Sequence, residues 1–429
     1  IVGSPTPSTI PLVTARLIPN AATPNPIVPQ KWLFRQSIDY SVSLNYAVLN
    51  YASRNRDELL MNIYRMGKNA IDKGNKDTWS LSPSKIEAMN KLYQDSLKRI
   101  RTTTETTNRN VVSNVPAKFY DSVMRNPVYK DARGYIIPST QPDFGTAVEF
   151  LNALIKTGVV VQRATSDFTV AGKKYPANSY IVKTNQAFRP HVLDLFEPQD
   201  HPNDFQYPGG PPVPPYDAAG WTLAYQMGVQ FDRIMEGFEG PFEKNPIGQI
   251  IRLSGAAVKS SSTGYVLDAR ANQSYKAVNN LINEGVDVYR MTNVTTESAY
   301  SNGSFYIPYS TKAKSVINKT VTENYVQFIP VNQKPNSIFK IKKAKIALWD
   351  TYGGSMSSGW VRWILENYNY TFDVIYPKDI DTGNLKTKYD VIVFVEGAIP
   401  AVANRITQTA SRVGVANTDS VPAEFRKMT

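Results

Sequence analysis

The chain has 429 residues, 42% of them hydrophobic and 20% charged, with a net charge of +12 and no cysteine. That composition fits a globular protein of two or three domains. It excludes disulfides, thiolate metal sites and a cysteine nucleophile, and no apolar run approaches the roughly 20 residues of a membrane-spanning helix.

The charge is uneven: residues 1–133 hold 19 Lys and Arg against 10 Asp and Glu. No run of five basic residues and no aromatic-rich RNA-binding signature accompanies it. The expectation is a solvated basic surface facing an acidic partner or domain rather than nucleic acid. Absence of cysteine suits either a cytosolic protein or an envelope protein of a bacterium that avoids it. The chain opens on Ile1 and runs at once into Pro-rich sequence with no readable signal peptide, so it reads as a fragment or processed product.

In chain order, residues 1–30 form a Pro-rich connector carrying Pro5, Pro7, Pro11, Pro19, Pro24, Pro26 and Pro29. Ile38, Val42, Leu49 and Ala52, followed by Leu59, Leu60, Ile63 and Met66, predict one long or broken helix over 31–72. A second helix is expected over 83–100 after Ser82-Pro83, and the Thr-rich stretch 101–114 reads as a linker.

An internal repeat follows. Gly134-Tyr135-Ile136-Ile137-Pro138 leads through Ala147, Phe150, Leu151 and Leu154 to Gly158-Val159-Val160-Val161. Gly264-Tyr265-Val266-Leu267-Asp268 leads through Ala277, Leu281 and Ile282 to Gly285-Val286-Asp287-Val288. A third copy runs from Lys345-Ile346-Ala347-Leu348-Trp349-Asp350 to Phe372-Asp373-Val374-Ile375 and on to the apolar run Val391 to Val395. Each reads as strand, turn, helix, strand, so the expected fold class is α/β, built of repeated βαβ modules with parallel sheets, the last one truncated. The first two copies share a further half, Ser179-Tyr180-Ile181-Val182 after a hairpin at 168–173, and Ser304-Phe305-Tyr306-Ile307. A Pro-rich loop over 197–216 separates them and delivers the chain to Asp217, a candidate N-cap for a helix over 218–234.

Candidate chemistry is sparse. The two histidines stand as His191-Val-Leu-Asp194 and His201-Pro-Asn-Asp204, which offers His191, Asp194, His201 and Asp204 as a possible metal set. Pro202 prevents a helical face in the second, and the expected role is that of hydrogen-bonding loop residues. Gly353-Gly354-Ser355 follows a strand and precedes a helix, a position suited to an anion or to a tight turn with Ser355 or Ser357 as N-cap. Asp232 and Glu236 would lie one turn apart on the 218–234 helix and its exit, as a solvated face. No Gly-x-Ser-x-Gly elbow and no phosphate or dinucleotide fingerprint is present. The residues of this chain supply no catalytic set.

Several segments resemble a known family. Ile1-Val2-Gly3-Ser4-Pro5-Thr6-Pro7, Leu17-Ile18-Pro19, Trp32 and the helix from Ser37 to Ala52 resemble the end of the zinc carboxypeptidase fold. Asn62-Ile63-Tyr64-Arg65-Met66-Gly67, Glu197-Pro198-Gln199-Asp200-His201-Pro202, Pro214-Pro215-Tyr216-Asp217 with Gly220-Trp221-Thr222-Leu223, and Asp350-Thr351-Tyr352-Gly353-Gly354-Ser355-Met356 are similar to segments of a large bacterial envelope-associated subgroup. The last domain resembles class I glutamine amidotransferases, whose nucleophile is a cysteine that this chain lacks.

The resemblance implies a division into 1–75 (end of a carboxypeptidase-like domain), 76–133 (helix and linker), 134–335 (two repeat modules) and 340–429 (a partial amidotransferase-like domain). It implies an accessory portion of a zinc-dependent metallocarboxypeptidase acting on peptides. Its zinc ligands and glutamate base would lie before Ile1, in the same polypeptide or a separate chain. It also implies a periplasmic, outer-membrane-associated or secreted location. The alternative is a non-catalytic binding or scaffold module that engages a protein or a cell-envelope polymer.

Overall fold

A computed structural model describes residues 31–101, 115–202, 204–214, 221–253, 255, 257–293, 300–396 and 398, with isolated residues at 8–9, 19, 24–25, 422 and 425. Most of the Pro-rich opening, the linker after Arg101 and the Asp217 cap lie outside them. The described residues form a mixed α/β protein in two compact units, one of residues 1–73 with 185–187 and one of the remainder.

In the first unit β1 (Ser8–Thr9) pairs antiparallel with β2 (Lys31–Trp32), and α1 (Phe34–Arg54) and α2 (Arg56–Gly74) follow. The predicted helix breaks at Asn55, whose N–H still reaches the Tyr51 carbonyl at 3.0 Å. No residue of α1 is buried. Leu44, Tyr46, Leu49 and Tyr51 are each at least 64% exposed, so large apolar side chains stand uncovered by the described residues on opposite sides of this helix.

The second unit opens with α3 (Pro83–Arg101) and α4 (Ala117–Met124), which share a small core of Met89, Phe119 and Val123. The first repeat module then runs β3 (Gly134–Ile137), α5 (Phe144–Lys156), β4 (Gln162–Ala164), the hairpin β5 (Phe168–Val170) and β6 (Lys173–Tyr175), β7 (Tyr180–Lys183), α6 (Arg189–Phe196), α7 (Leu223–Gln226), β8 (Asp232–Ile234) and β9 (Phe242–Lys244). The second runs β10 (Gly264–Leu267), α8 (Asn272–Asn283), β11 (Tyr289–Met291), β12 (Phe305–Pro308), α9 (Thr311–Glu323), β13 (Ile329–Val331) and β14 (Ile338–Lys340). Their sheets have one topology, β8-β3-β7-β4-β9 and β13-β10-β12-β11-β14.

The repeat is therefore real, but the parallel sheets expected for these two modules are not: every pairing in both is antiparallel. β3 and β4 do run in the same sense, with β7 inserted between them, which makes each module a pair of interleaved split βαβ units. The misreading has a physical cause. Continuous apolar strands signal burial on both faces, and parallel sheets are the commonest way to bury both. Here Tyr135 and Ile137 face the helices α5 and α6, while Ile136 and Ile181 face the β5–β6 hairpin through Phe168, Val170 and Tyr175. In the second module Tyr265 and Leu267 face α8 and α9, and Val266 packs with Met291 and Tyr306 on the other side.

The third copy consists of β15 (Ile346–Trp349), α10 (Met356–Asn367), β16 (Phe372–Ile375), α11 (Pro377–Asp381), α12 (Leu385–Lys388) and β17 (Val391–Val393). Its strands pair in the order β16-β15-β17 and are parallel.

One device ends the first helix of all three copies. The residue two past the cap donates back to the third-last helical carbonyl: Val159 to Leu154 at 3.0 Å, Val286 to Leu281 at 2.8 Å and Tyr370 to Leu365 at 2.9 Å. The intervening residue is left-handed, Gly158 (φ 96°), Gly285 (φ 71°) and Asn369 (φ 58°), the residue types that tolerate it. The Gly-Val repeat in the sequence is this turn.

A second correction concerns residues 218–234. The only helix described there is the four-residue α7, and Asp232–Ile234 is the edge strand β8. Asp232 consequently shares no helix face with Glu236. Lys173 of the hairpin donates to Asp232 at 2.6 Å, and Lys130 donates to Glu236 at 2.6 Å and to Asp77 at 3.1 Å.

Candidate functional site

The two repeat modules meet where the interior strands β3 and β10 end, and a cavity of about 480 Å³ opens between the loops that follow them. Equivalent buried serines fix both loops. The Ser179 hydroxyl accepts from the Ser139 N–H at 3.2 Å, and the Ser304 hydroxyl accepts from the Ala269 N–H at 3.1 Å. Both serines are fully buried. These are the positions at which the shared second halves of the repeat begin, so the sequence periodicity and the cavity walls have one origin.

Asp143 ties the modules together. Its carboxylate caps α5 by accepting from the Thr146 N–H at 3.2 Å and the Thr146 hydroxyl at 2.7 Å. It also accepts from the Asn272 N–H at 3.1 Å. Helix α8 carries Ala271 at its own cap position and has no side-chain cap, so one aspartate serves two helix N-termini, where a negative charge is favourable. The Asn272 amide donates in return to the Thr146 hydroxyl at 2.9 Å, and the Phe144 ring meets Tyr325 edge-on at 6.2 Å.

On the opposite wall Asp268 accepts from the Arg270 N–H at 2.9 Å, from Arg270 Nε at 3.0 Å and from the Ser301 hydroxyl at 3.0 Å. Burial pushes its carboxyl up, but the hydrogen bonds from Arg270 and Ser301 together hold it below the ordinary aspartate range. Gln141 is locked as well, accepting from the Gln230 N–H at 3.0 Å and donating to the Pro138 carbonyl at 3.0 Å. Gln273 Oε1 is buried with no partner among the described residues.

Both cleft aspartates are thus engaged as acceptors of several hydrogen bonds within the fold. The arrangement suits binding. Asp143→Ala removes two caps at once, and at about 1 kcal/mol per cap we expect a loss near ~2 kcal/mol in urea unfolding. Asp143→Asn, which keeps an acceptor, is expected to lose less than half as much.

The metal candidates are placed apart in their bonding. His191 and Asp194 share α6; the His191 ring pairs with the Thr157 hydroxyl at 2.9 Å. Desolvation raises the Asp194 carboxyl above its ordinary value, opposed by the neighbouring His191. His201 instead stacks on Trp221 with ring centroids 5.2 Å apart, and Asp204 accepts the Val213 N–H through its main-chain carbonyl at 2.9 Å. Among the described residues no three His, Asp or Glu side chains gather into a ligand group.

In the Gly353-Gly354-Ser355 turn both glycines are left-handed (φ 85° and 77°) and face open space. Ser355 caps α10, accepting from the Ser358 N–H at 3.1 Å. Asp350 accepts from the Thr351 and Ser355 N–H groups at 2.8 and 3.0 Å, so a carboxylate of the chain itself sits against this turn.

Comparison with protein-family models, with curated proteins and with solved structures finds no match to the chain. The cleft residues escape a motif search because Asp143, Asp268 and Asn272 are ordinary turn and cap residues. Only the repeat, by aligning Pro138–Asp143 with Asp268–Ala271, points to both loops.

Proposed function

We propose that this chain is the accessory, substrate-holding portion of a zinc-dependent carboxypeptidase acting on peptides, with the zinc and its ligands supplied by residues outside 1–429. The observation that carries the reading is α1, a 21-residue helix with no buried residue and large apolar side chains left exposed by the described residues on opposite sides. A helix with that pattern is built to lie against another apolar surface. In the family that residues 1–52 resemble, the final helix of the catalytic domain packs under the catalytic sheet, and α1 is the matching element. The modules of the second unit then hold peptide through the inter-module cleft, whose aspartates are engaged as structural acceptors. A zinc-bound water and a glutamate base would belong to the catalytic portion, along with the periplasmic, outer-membrane or secreted location that the resemblance implies.

The test compares this chain with a polypeptide extended upstream of Ile1. The extended form is expected to bind zinc, to release C-terminal residues from peptides and to slow amide hydrogen exchange across 34–54; the chain alone is expected to do none of these. Peptide hydrolysis by the chain alone, or exchange across 34–54 that is equally fast in both, would sink the proposal. A second reading rests on the dual-cap geometry of Asp143: two modules rigidly joined around a polar cleft also suit a non-catalytic scaffold for a protein or envelope polymer. An extended form with an intact cleft but no zinc would favour it.

A further inference from the structure

The second and third copies enclose a separate cavity of about 230 Å³, and among the described residues its wall carries three cations, Arg290, Lys342 and Lys343, and no acidic side chain. Among the described residues no carboxylate pairs with any of the three, although nearby Lys340 is neutralised by Asp287 at 2.7 Å. The Arg290 guanidinium lies over the Phe305 ring at 5.2 Å, and Tyr275 meets the same ring edge-on at 5.3 Å. Stacking of this kind orients a guanidinium without neutralising it. The rest of the wall is largely apolar, with Val278 and Ile282 of α8 beside Phe305. The junction is held by side-chain amides: Asn279 donates to the Tyr368 carbonyl at 2.7 Å and Asn283 to the Asn369 carbonyl at 3.0 Å.

An apolar recess rimmed by positive charge that no described carboxylate pairs suits an anion with a short apolar body. We propose that this junction is a binding site for a small organic anion, a carboxylate or phosphate monoester whose short apolar body enters the recess while its charged head meets Arg290, Lys342 and Lys343. The volume lies below the ~300–1,000 Å³ of sites for drug-sized ligands, so the body is short. The cleft between the first two modules carries Asp143 and the Asp268–Arg270 pair on its walls and shares none of these lining residues. This site is therefore distinct from it and stands independently of the peptidase reading.

Isothermal titration of the full chain with hexanoate, hexyl phosphate, hexanol and inorganic phosphate tests the proposal. At least one hexyl anion is expected to bind saturably, and whichever binds more tightly identifies the head group. Hexanol and inorganic phosphate are each expected to bind at least tenfold more weakly, since each lacks one half of the ligand. Arg290→Gln is expected to weaken the anion at least tenfold. A Lys342→Gln/Lys343→Gln double variant, altered only at exposed side chains, is expected to weaken it at least threefold with no change in thermal unfolding midpoint. It therefore carries the test even if Arg290→Gln fails to fold. Hexanol binding as tightly as the anions, inorganic phosphate matching hexyl phosphate, no saturable binding at all, or unchanged affinity in the double variant would overturn the assignment.

Discussion

Replacing Arg189 with Met is expected to destabilise the protein by about 3–5 kcal/mol, the range for removing one partner of a buried ion pair. Arg189 opens α6 and donates to Asp131 at 2.8 Å and to the Thr78 hydroxyl at 2.8 Å. Both charged side chains are under 10% exposed. Asp131 also accepts from the Ser80 N–H at 2.9 Å and from the Ser80 and Thr78 hydroxyls at 3.1 Å, so the carboxylate is fully committed and cannot turn to water. Removing the guanidinium leaves that charge buried with neutral donors alone. The position is costly even in the native state, because a cation at a helix N-terminus opposes the helix dipole and Arg189 Nε is buried without a partner among the described residues. A double variant, Arg189→Met with Asp131→Leu, is therefore expected to recover much of the loss. Urea unfolding at neutral pH decides it: a single-variant loss under ~1 kcal/mol would mean that the pair is hydrated in solution and does not anchor residues 78–80 to the first module.

How far the fold could be read in advance depended on the kind of signal. The helices over 31–72 and 83–100 were legible because apolar periodicity and Ser82-Pro83 are local signals, and local signals survive tertiary context. The threefold repeat was legible because Gly-Val at the end of each of the first two helices encodes a turn that the backbone actually makes. Strand direction was not legible. An all-apolar run such as Tyr135-Ile136-Ile137 reports that both faces are covered, and says nothing about whether helices or a hairpin cover them. The 218–234 segment failed for a related reason. Leu223, Met227 and Phe231 recur at helical spacing because all three pack on the first module's core, yet Met227 ends α7 and left-handed Gly228 (φ 66°) turns the chain toward β8. The cleft is a meeting of residues 129 apart in sequence, Asp143 with Asn272, and a cap supplied from a second module leaves no mark at the helix it serves except the missing cap at Ala271.

The same asymmetry between matching sequence and unequal packing predicts where the stability of the repeats resides, and Phe196→Ala is expected to cost about 3–5 kcal/mol. Phe196 is fully buried at the end of α6. Its ring stacks on Tyr135 at 4.1 Å and 5° and meets Phe150 and Phe231 edge-on at 5.0 and 5.1 Å. Truncation would open a cavity bounded by three rings that belong to different elements and cannot close together. The neighbouring polar contact raises the stakes. The Tyr135 hydroxyl donates to Glu197 at 2.6 Å, and Glu197 also accepts from Arg233 Nε at 2.7 Å. Burial first, then the Glu197 charge, holds that phenol well above its ordinary range, which suits it as a neutral donor. Loosening Phe196 therefore loosens the strand that leads into the Pro138–Asp143 wall of the cleft. The equivalent tyrosine of the second module, Tyr265, has no such stack: its ring meets Phe328 at 6.4 Å, and its hydroxyl accepts the Ser261 N–H at 3.4 Å. Phe328→Ala, at a position 7% exposed, is expected to cost less than half as much. Equal losses at the two positions would show that the repeats share their stability evenly, and that the aromatic cluster adds nothing beyond the area it buries.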